Sequence, residues 1–226
     1  MTNFKNIKAI AFDLDGTLID SVPDLAAATN ATLAELSLPL ATEDQVRSWV
    51  GNGAKTLMRR ALNNAMNSEV SDEQLAETMP RFMHYYGEFL EKHSRLYPNV
   101  LVTISALKQA GYPLAIVTNK PYEFTVPLLK AFGLADFFDH VLGGDSLAKM
   151  KPDPLPLTHL LEQWKISSDE LLMIGDSKND ILAAKSANVA VIGLTYGYNY
   201  GEHISVSEPT AVCDDFAQIG QLLLTK

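Results

Sequence analysis

Ala9-Ile10-Ala11-Phe12-Asp13-Leu14-Asp15-Gly16-Thr17-Leu18 is an apolar run that ends in two carboxylates one residue apart, followed at once by Gly-Thr. A buried strand has no use for acids at its tip unless something cationic or reactive sits there. In an open parallel sheet the carboxyl ends of the strands are where ligands bind. At a period of two, Asp13 and Asp15 face the same side of a strand, although Gly16-Thr17 signals a chain that is already turning. Two crowded acids repel each other unless a cation lies between them. A hard divalent ion such as Mg²⁺ takes its ligands from carboxylates, backbone carbonyls and phosphate, and an aspartate can itself attack phosphorus. For a lone Asp-x-Asp the competing reading, a solvated acidic strand end, is equally good, so the rest of the chain decides.

Working outward, short β-branched runs alternate with helix-length segments. Ile7–Asp13, Pro113–Asn119, Phe138–Gly143, Leu171–Asp176 and Ala190–Thr195 read as buried strands, with a short one near Ala211–Cys213. Helical patterns lie around Val100–Ala110, Tyr122–Phe132, Pro154–Trp164 and Asp180–Ala187, and Asp215–Leu224 reads as a closing helix. The alternation predicts a parallel sheet with helices on both faces and right-handed crossovers. Between about Ser21 and Ser94 the rhythm breaks into amphipathic helical pattern alone, as in Leu25 to Leu33 and Leu57 to Leu62. A crossover rarely needs that length. The expected organisation is therefore a core of residues 1–20 and 95–226 with an all-helical cap of residues 21–94, hinged near Asp20–Pro23 and Leu96–Val100.

Three further segments carry chemistry. Leu172-Met173-Ile174-Gly175-Asp176-Ser177-Lys178-Asn179-Asp180 again ends a strand in Asp, with a second acid four residues on. Alone this fits an acidic helix N-terminus; together with Asp13 and Asp15 at one sheet edge, four acids make a metal site. Val117-Thr118-Asn119 closes another strand with a hydroxyl and an amide, both able to hydrogen-bond phosphate oxygens, though Thr and Asn also end strands for turn reasons. Lys149-Met150-Lys151-Pro152-Asp153-Pro154 is a loop in which Pro152 restricts the backbone beside Lys151. An anion-binding site built from acids needs such a cation.

Taken in order, Asp13-Leu14-Asp15-Gly16-Thr17, Thr118, Lys151-Pro152 and Gly175-Asp176 with Asp180 resemble the four signature segments of the haloacid dehalogenase superfamily. The helical insertion falls where that superfamily carries a small cap. The resemblance spans nearly the whole chain and implies a three-layer α/β fold with a Rossmann-like parallel-sheet core. It further implies a Mg²⁺-dependent phosphatase working through an aspartyl-phosphate. Asp13 is then the nucleophile, and Asp15 the general acid and base, also lending a backbone carbonyl to the metal. Thr118 and Lys151 hold the transferring phosphoryl group. Asp176 is the direct metal ligand beside Asp13, and Asp180 orients metal-bound water or Lys151. Dehalogenases of the superfamily lack the second acid, so carbon–halogen cleavage is disfavoured.

Trp49-Val50-Gly51-Asn52-Gly53-Ala54 and the stretch from Gly193 to Glu202, which contains Tyr196-Gly197-Tyr198-Asn199-Tyr200, resemble bacterial phosphoglycolate phosphatases. That implies 2-phosphoglycolate as substrate, with backbone N–H groups of Gly51, Asn52 and Gly53 offered to its far carboxylate. Read without the resemblance, Gly51-Asn52-Gly53 is an ordinary interhelical turn. Other capped phosphatases or mutases of sugar phosphates or pyrophosphate remain open, as does a non-hydrolytic phospho-Asp receiver.

Composition bounds the partners. With 226 residues, 47% hydrophobic and 20% charged, the chain can bury a sizeable core. The net charge of −9 argues against nucleic acid and anionic membrane as partners. A small phosphorylated metabolite is expected instead, handled by a monomer or small homo-oligomer. The lone Cys213 points to a reducing compartment, and acids interrupt the one apolar stretch near the N-terminus, which does not read as a signal peptide. A cytoplasmic location is expected. The five histidines show no metal-ligand spacing.

Overall fold

The computed structural model describes residues 4–225. Six strands form one parallel sheet: β1 (Ala9–Phe12), β4 (Leu114–Val117), β5 (His140–Leu142), β6 (Leu171–Gly175), β7 (Ala190–Leu194) and β8 (Ala211–Cys213), in the order β5-β4-β1-β6-β7-β8. β1 is central, with Phe12 level with Ile116 of β4 and Ile174 of β6. The residues that follow these three strands therefore emerge side by side at one edge.

Alternation along the strands sorts the core into two layers, as a sheet covered on both faces requires. Ile10, Phe12, Leu114, Ile116, Leu172, Ile174 and Ile192 face α5 (Val100–Gln109), α6 (Tyr122–Ala131) and α9 (Ala217–Leu224). The smaller Ala9, Ala11, Ala115 and Val117, with Leu171, Met173 and Val191, face α7 (Leu155–Trp164) and α8 (Lys178–Ser186). The three-layer α/β architecture expected from the sequence is present.

Residues 22–89 form four helices: α1 (Val22–Glu35), α2 (Glu43–Trp49), α3 (Ala54–Met66) and α4 (Asp72–Phe89). Their starts are chemically marked. Pro23 lies in the first turn of α1, while Thr42 with Gln45 and Ser71 with Gln74 close capping boxes on α2 and α4. The four helices share a separate core that includes Leu33, Met58, Leu75 and Phe82, to which Phe124 of α6 and Tyr198 also contribute. A two-stranded antiparallel ribbon, β2 (Ile19–Asp20) with β3 (Arg95–Leu96), ties the two chain crossings together. No strand pattern in the sequence marks this ribbon, whose strands are two residues each. Buried Asp24 reinforces it by accepting hydrogen bonds from the backbone N–H groups of His93 and Ser94 and from Ser94 Oγ. Among the described residues no helix is long and apolar enough to cross a membrane.

Candidate active site

The parallel register brings Asp13, Thr118 and Asp176 to the same sheet edge, and loops deliver the rest. Lys151, from the loop after β5, is almost fully buried, with Nζ 2.9 Å from Asp13 Oδ1 and 2.5 Å from Asp180 Oδ1. Asp180 lies in the first turn of α8, where its Oδ2 accepts from Ser177 N at 3.0 Å and Ser177 Oγ at 2.8 Å. Asp176 is fixed by Thr17, whose Oγ1 donates to Oδ1 at 2.7 Å, and by Tyr198 N, which donates to Oδ2 at 2.5 Å. Gly16 makes that approach possible. Its φ is +91°, and a Cβ there would stand 2.3 Å from Asp176 Oδ2.

Asp13, Asp176 and Asp180 each offer a carboxylate oxygen, all within 4.8 Å of one another. Two full charges at that spacing repel by about 3 kcal/mol even at an effective dielectric of about 20. Burial pushes the Asp13 carboxyl up to about 7, against the pull of Lys151. Asp176 is raised well above the ordinary carboxylate range by burial and then by its acidic neighbours Asp13 and Asp180. Burial opposes a charge on Lys151, but Asp13 and Asp180 outweigh it and raise its pKa. One ammonium against three carboxylates leaves negative charge uncompensated. An all-oxygen donor set with that deficit fits a divalent metal. Asp180, with both oxygens already engaged by Lys151 and Ser177, is the least free of the three to ligate.

Asp15 stands apart from that cluster. Its Oδ1 accepts from Ser21 Oγ at 2.6 Å, and Lys120 Nζ lies 3.0 Å from Oδ1 and 3.3 Å from Oδ2. Lys120 also donates to Tyr86 Oη at 2.5 Å. The two acids of the Asp-x-Asp are thus paired with different lysines.

A narrow cavity of about 30 Å³ lies between the sheet edge and the helices. Asp13, Asp15, Thr118, Asn119, Lys120, Lys151, Ser177 and Asn179 line it from below, while Leu25, Val50, Gly51, Gly53, Ala54, Leu57 and Tyr86 line it from the helical side. The Gly51 turn is latched to the core through its own carbonyl, which accepts from Asn119 Nδ2 at 2.9 Å and from Asn179 Nδ2 at 3.0 Å. Gly51 has φ +114°, and a Cβ there would meet Tyr200 Oη at 2.6 Å. Asn52 is not among the lining residues. Its Oδ1 accepts instead from Arg60 and from Tyr200 Oη, both at 2.9 Å. Both amide N–H groups of Asn119 are spent on carbonyls, those of Gly51 and Lys151, so they are not free for a phosphate oxygen in this arrangement.

Lys120, Tyr86, Asn179 and the contact made by Tyr200 lie outside the sequence assignments. Lys120 directly follows Thr118-Asn119 at a strand tip, which was a usable signal. Tyr86 carried none, because nothing in the α4 pattern distinguishes it from Tyr85.

The chain matches the haloacid dehalogenase-like hydrolase family over residues 10–194. It is 52% identical over 222 residues to a phosphoglycolate phosphatase of Vibrio vulnificus strain YJ016, covering 97% of each chain. It is 51% identical over 226 residues to one of Pasteurella multocida, covering 99% of this chain and 100% of that one. The crystal structure of a predicted phosphoglycolate phosphatase from Haemophilus somnus 129pt superimposes with a TM-score of 0.93 at 46% identity, over 96% of this chain and 98% of that one. With this fold, this ordered set of acids and lysines at one sheet edge, and these matches, the chain belongs to the haloacid dehalogenase-like hydrolase family.

Proposed function

We propose that this chain is a Mg²⁺-dependent phosphatase that hydrolyses 2-phosphoglycolate to glycolate and phosphate through a phosphorylated Asp13. The observation that carries the reading is the division of labour within Asp13-Leu14-Asp15: one acid lies among Lys151, Asp176 and Asp180, the other is held by Lys120 and Ser21. Identity of about half over nearly full length to phosphoglycolate phosphatases supports the substrate.

Asp13, Asp176 and the Asp15 backbone carbonyl are the groups that would hold Mg²⁺, which offsets phosphate charge when bound. Lys151 neutralises the phosphoryl group so that the Asp13 carboxylate can approach it, and Thr118 offers a hydroxyl to its oxygens. In the first half, the bond from Asp13 Oδ to phosphorus forms while the bond from phosphorus to the substrate oxygen breaks. The Asp15 proton goes to that leaving oxygen. In the second half, Asp15 accepts a proton from the attacking water, the bond from phosphorus to Asp13 breaks, and phosphate leaves. Asp180 keeps Lys151 aimed at Asp13.

Residues 21–94 act as a cap in this reading. They close the cavity and exclude competing water, and a cavity lined from both the helices and the sheet edge favours a compact substrate. Backbone N–H groups at Gly51 and Gly53 meet the far carboxylate, while Asn52 holds the turn through Arg60 and Tyr200. The lone buried Cys213 supports work in a reducing cytoplasm. The test is kcat/KM across 2-phosphoglycolate, glucose phosphates, glycerol phosphates and pyrophosphate. A clear lead for 2-phosphoglycolate is expected. A sugar phosphate or pyrophosphate ahead by about tenfold, some 1.4 kcal/mol in transition-state binding, overturns the substrate and leaves the chemistry standing.

A further inference from the structure

We propose that Tyr86 and Lys120 form a clamp that holds the Asp15 carboxyl in line for proton transfer, so that the seating of α4 sets the geometry of the acid. The proposal rests on Asp15 being the proton-transfer group. Lys120 is not needed to neutralise the phosphoryl group, a task that falls to Lys151 on the other acid. Its side chain is 1% exposed, and its ammonium spans both Asp15 oxygens and Tyr86 Oη. It also sits 4.8 Å from the Tyr86 ring centroid.

Tyr86 is itself immobilised from both units of the fold. Its ring packs 4.4 Å from that of Phe124 on α6 and 5.5 Å from that of Phe82 on α4. The chain Phe124–Tyr86–Lys120–Asp15 therefore links the packing of the helices to one carboxyl. Ser21, which precedes α1, donates its Oγ to Oδ1 of the same carboxyl. A carboxyl turned out of line cannot deliver its proton to the leaving oxygen as the bond to phosphorus breaks. The loss falls on poor leaving groups. An alkoxide needs that proton, whereas 4-nitrophenolate departs without it.

The experiment compares kcat/KM for 2-phosphoglycolate and 4-nitrophenyl phosphate in Tyr86→Phe, Lys120→Met, Asp15→Asn and the double variant Tyr86→Phe/Asp15→Asn. Tyr86→Phe keeps the ring and its stacking, and thermal midpoints check that every variant is folded. Removing general acid catalysis in Asp15→Asn should cost roughly 10³-fold on the alkyl ester and far less on the aryl ester. Misplacing the carboxyl in Tyr86→Phe should cost about tenfold on the alkyl ester and under about threefold on the aryl ester, with Lys120→Met larger in the same sense. The double variant should match Asp15→Asn alone, because a clamp with nothing to hold has no effect. Should Asp15→Asn discriminate between the esters while Tyr86→Phe and Lys120→Met lower both equally, the clamp is overturned and the role of Asp15 stands. Should Asp15→Asn itself lower both equally, the proton-transfer reading falls and takes the clamp with it.

Discussion

At the carboxyl edge of the sheet, Asp13, Asp176, Asp180 and Lys151 crowd charge into a buried space. Across the cavity the helices answer with Leu25, Val50, Ala54, Leu57, the backbone of two glycines and the single hydroxyl of Tyr86. The two sides differ in what stands behind them. Asp13 and Asp176 follow strands and Asp180 lies in the first turn of a helix, all anchored in the central core, which can hold a carboxylate where repulsion would push it away, while Lys151 reaches them from the loop after β5. The helical side has its own core and reaches the sheet side through the β2–β3 ribbon, the Phe124 and Tyr198 contacts, the Lys120–Tyr86 bond and the carbonyl of Gly51. In the proposed function, charge chemistry belongs to the sheet side, and covering and selection belong to the helical side. Losses on the two sides should therefore differ in kind, in kcat for one and in KM for the other.

The largest expected effect is on the sheet side. Asp13→Asn replaces the proposed nucleophile with an amide and should cost at least about 10⁴-fold in kcat while the protein stays folded. Activity within about tenfold of the parent removes Asp13 from that role. Next, a chelator should abolish turnover and Mg²⁺ should restore it, since the acids alone repel a phosphate dianion. Asp176→Ala should raise the Mg²⁺ concentration needed for half-maximal rate by roughly 10- to 100-fold or more, on the scale of lost metal-site groups. Full turnover in excess chelator contradicts the charge assignment of the sheet edge.

On the helical side, Gly51→Ala puts a Cβ into Tyr200 Oη at a φ that L residues avoid. It should raise KM for 2-phosphoglycolate by about tenfold, the equivalent of one or two kcal/mol of strain, with kcat on 4-nitrophenyl phosphate nearly kept. The smallest effect is for Tyr200→Phe, which deletes one hydrogen bond to Asn52 and one from Asn179. At about 0.5 kcal/mol net per bond, about 1 kcal/mol for the two together, a KM rise of roughly fivefold is expected. If Gly51→Ala lowers kcat as strongly as Asp176→Ala does, the two sides are not separable and the comparison fails.

The sheet side was legible in the sequence because its signal is local. An apolar strand ending in Asp, twice, with Gly-Thr or Ser following, marks the edge without knowledge of any contact. Burial of strands on both faces made β1, β4 and β6 readable as near-continuous apolar runs. The β2–β3 ribbon was invisible because two-residue strands have no period to detect. Lys120 finds Asp15 across 105 residues of chain, and Asn179 reaches Gly51 across 128, so these contacts exist only once the sheet order is known. Asn119 read as a phosphate ligand from its position at a strand tip, but its amide hydrogens go to two carbonyls. Residue type at a strand tip names a candidate; only the hydrogen-bond partners say whether its donors are free.

Transfer of phosphorus to Asp13 at the sheet edge can be read by rapid acid quench during turnover of 2-phosphoglycolate, followed by proteolysis and mass spectrometry. A phosphoryl group is expected on the peptide containing Asp13, absent in Asp13→Asn and absent when metal is chelated. Steady turnover with no phosphorylated peptide at any quench time, or a phosphoryl group on a different residue, contradicts it.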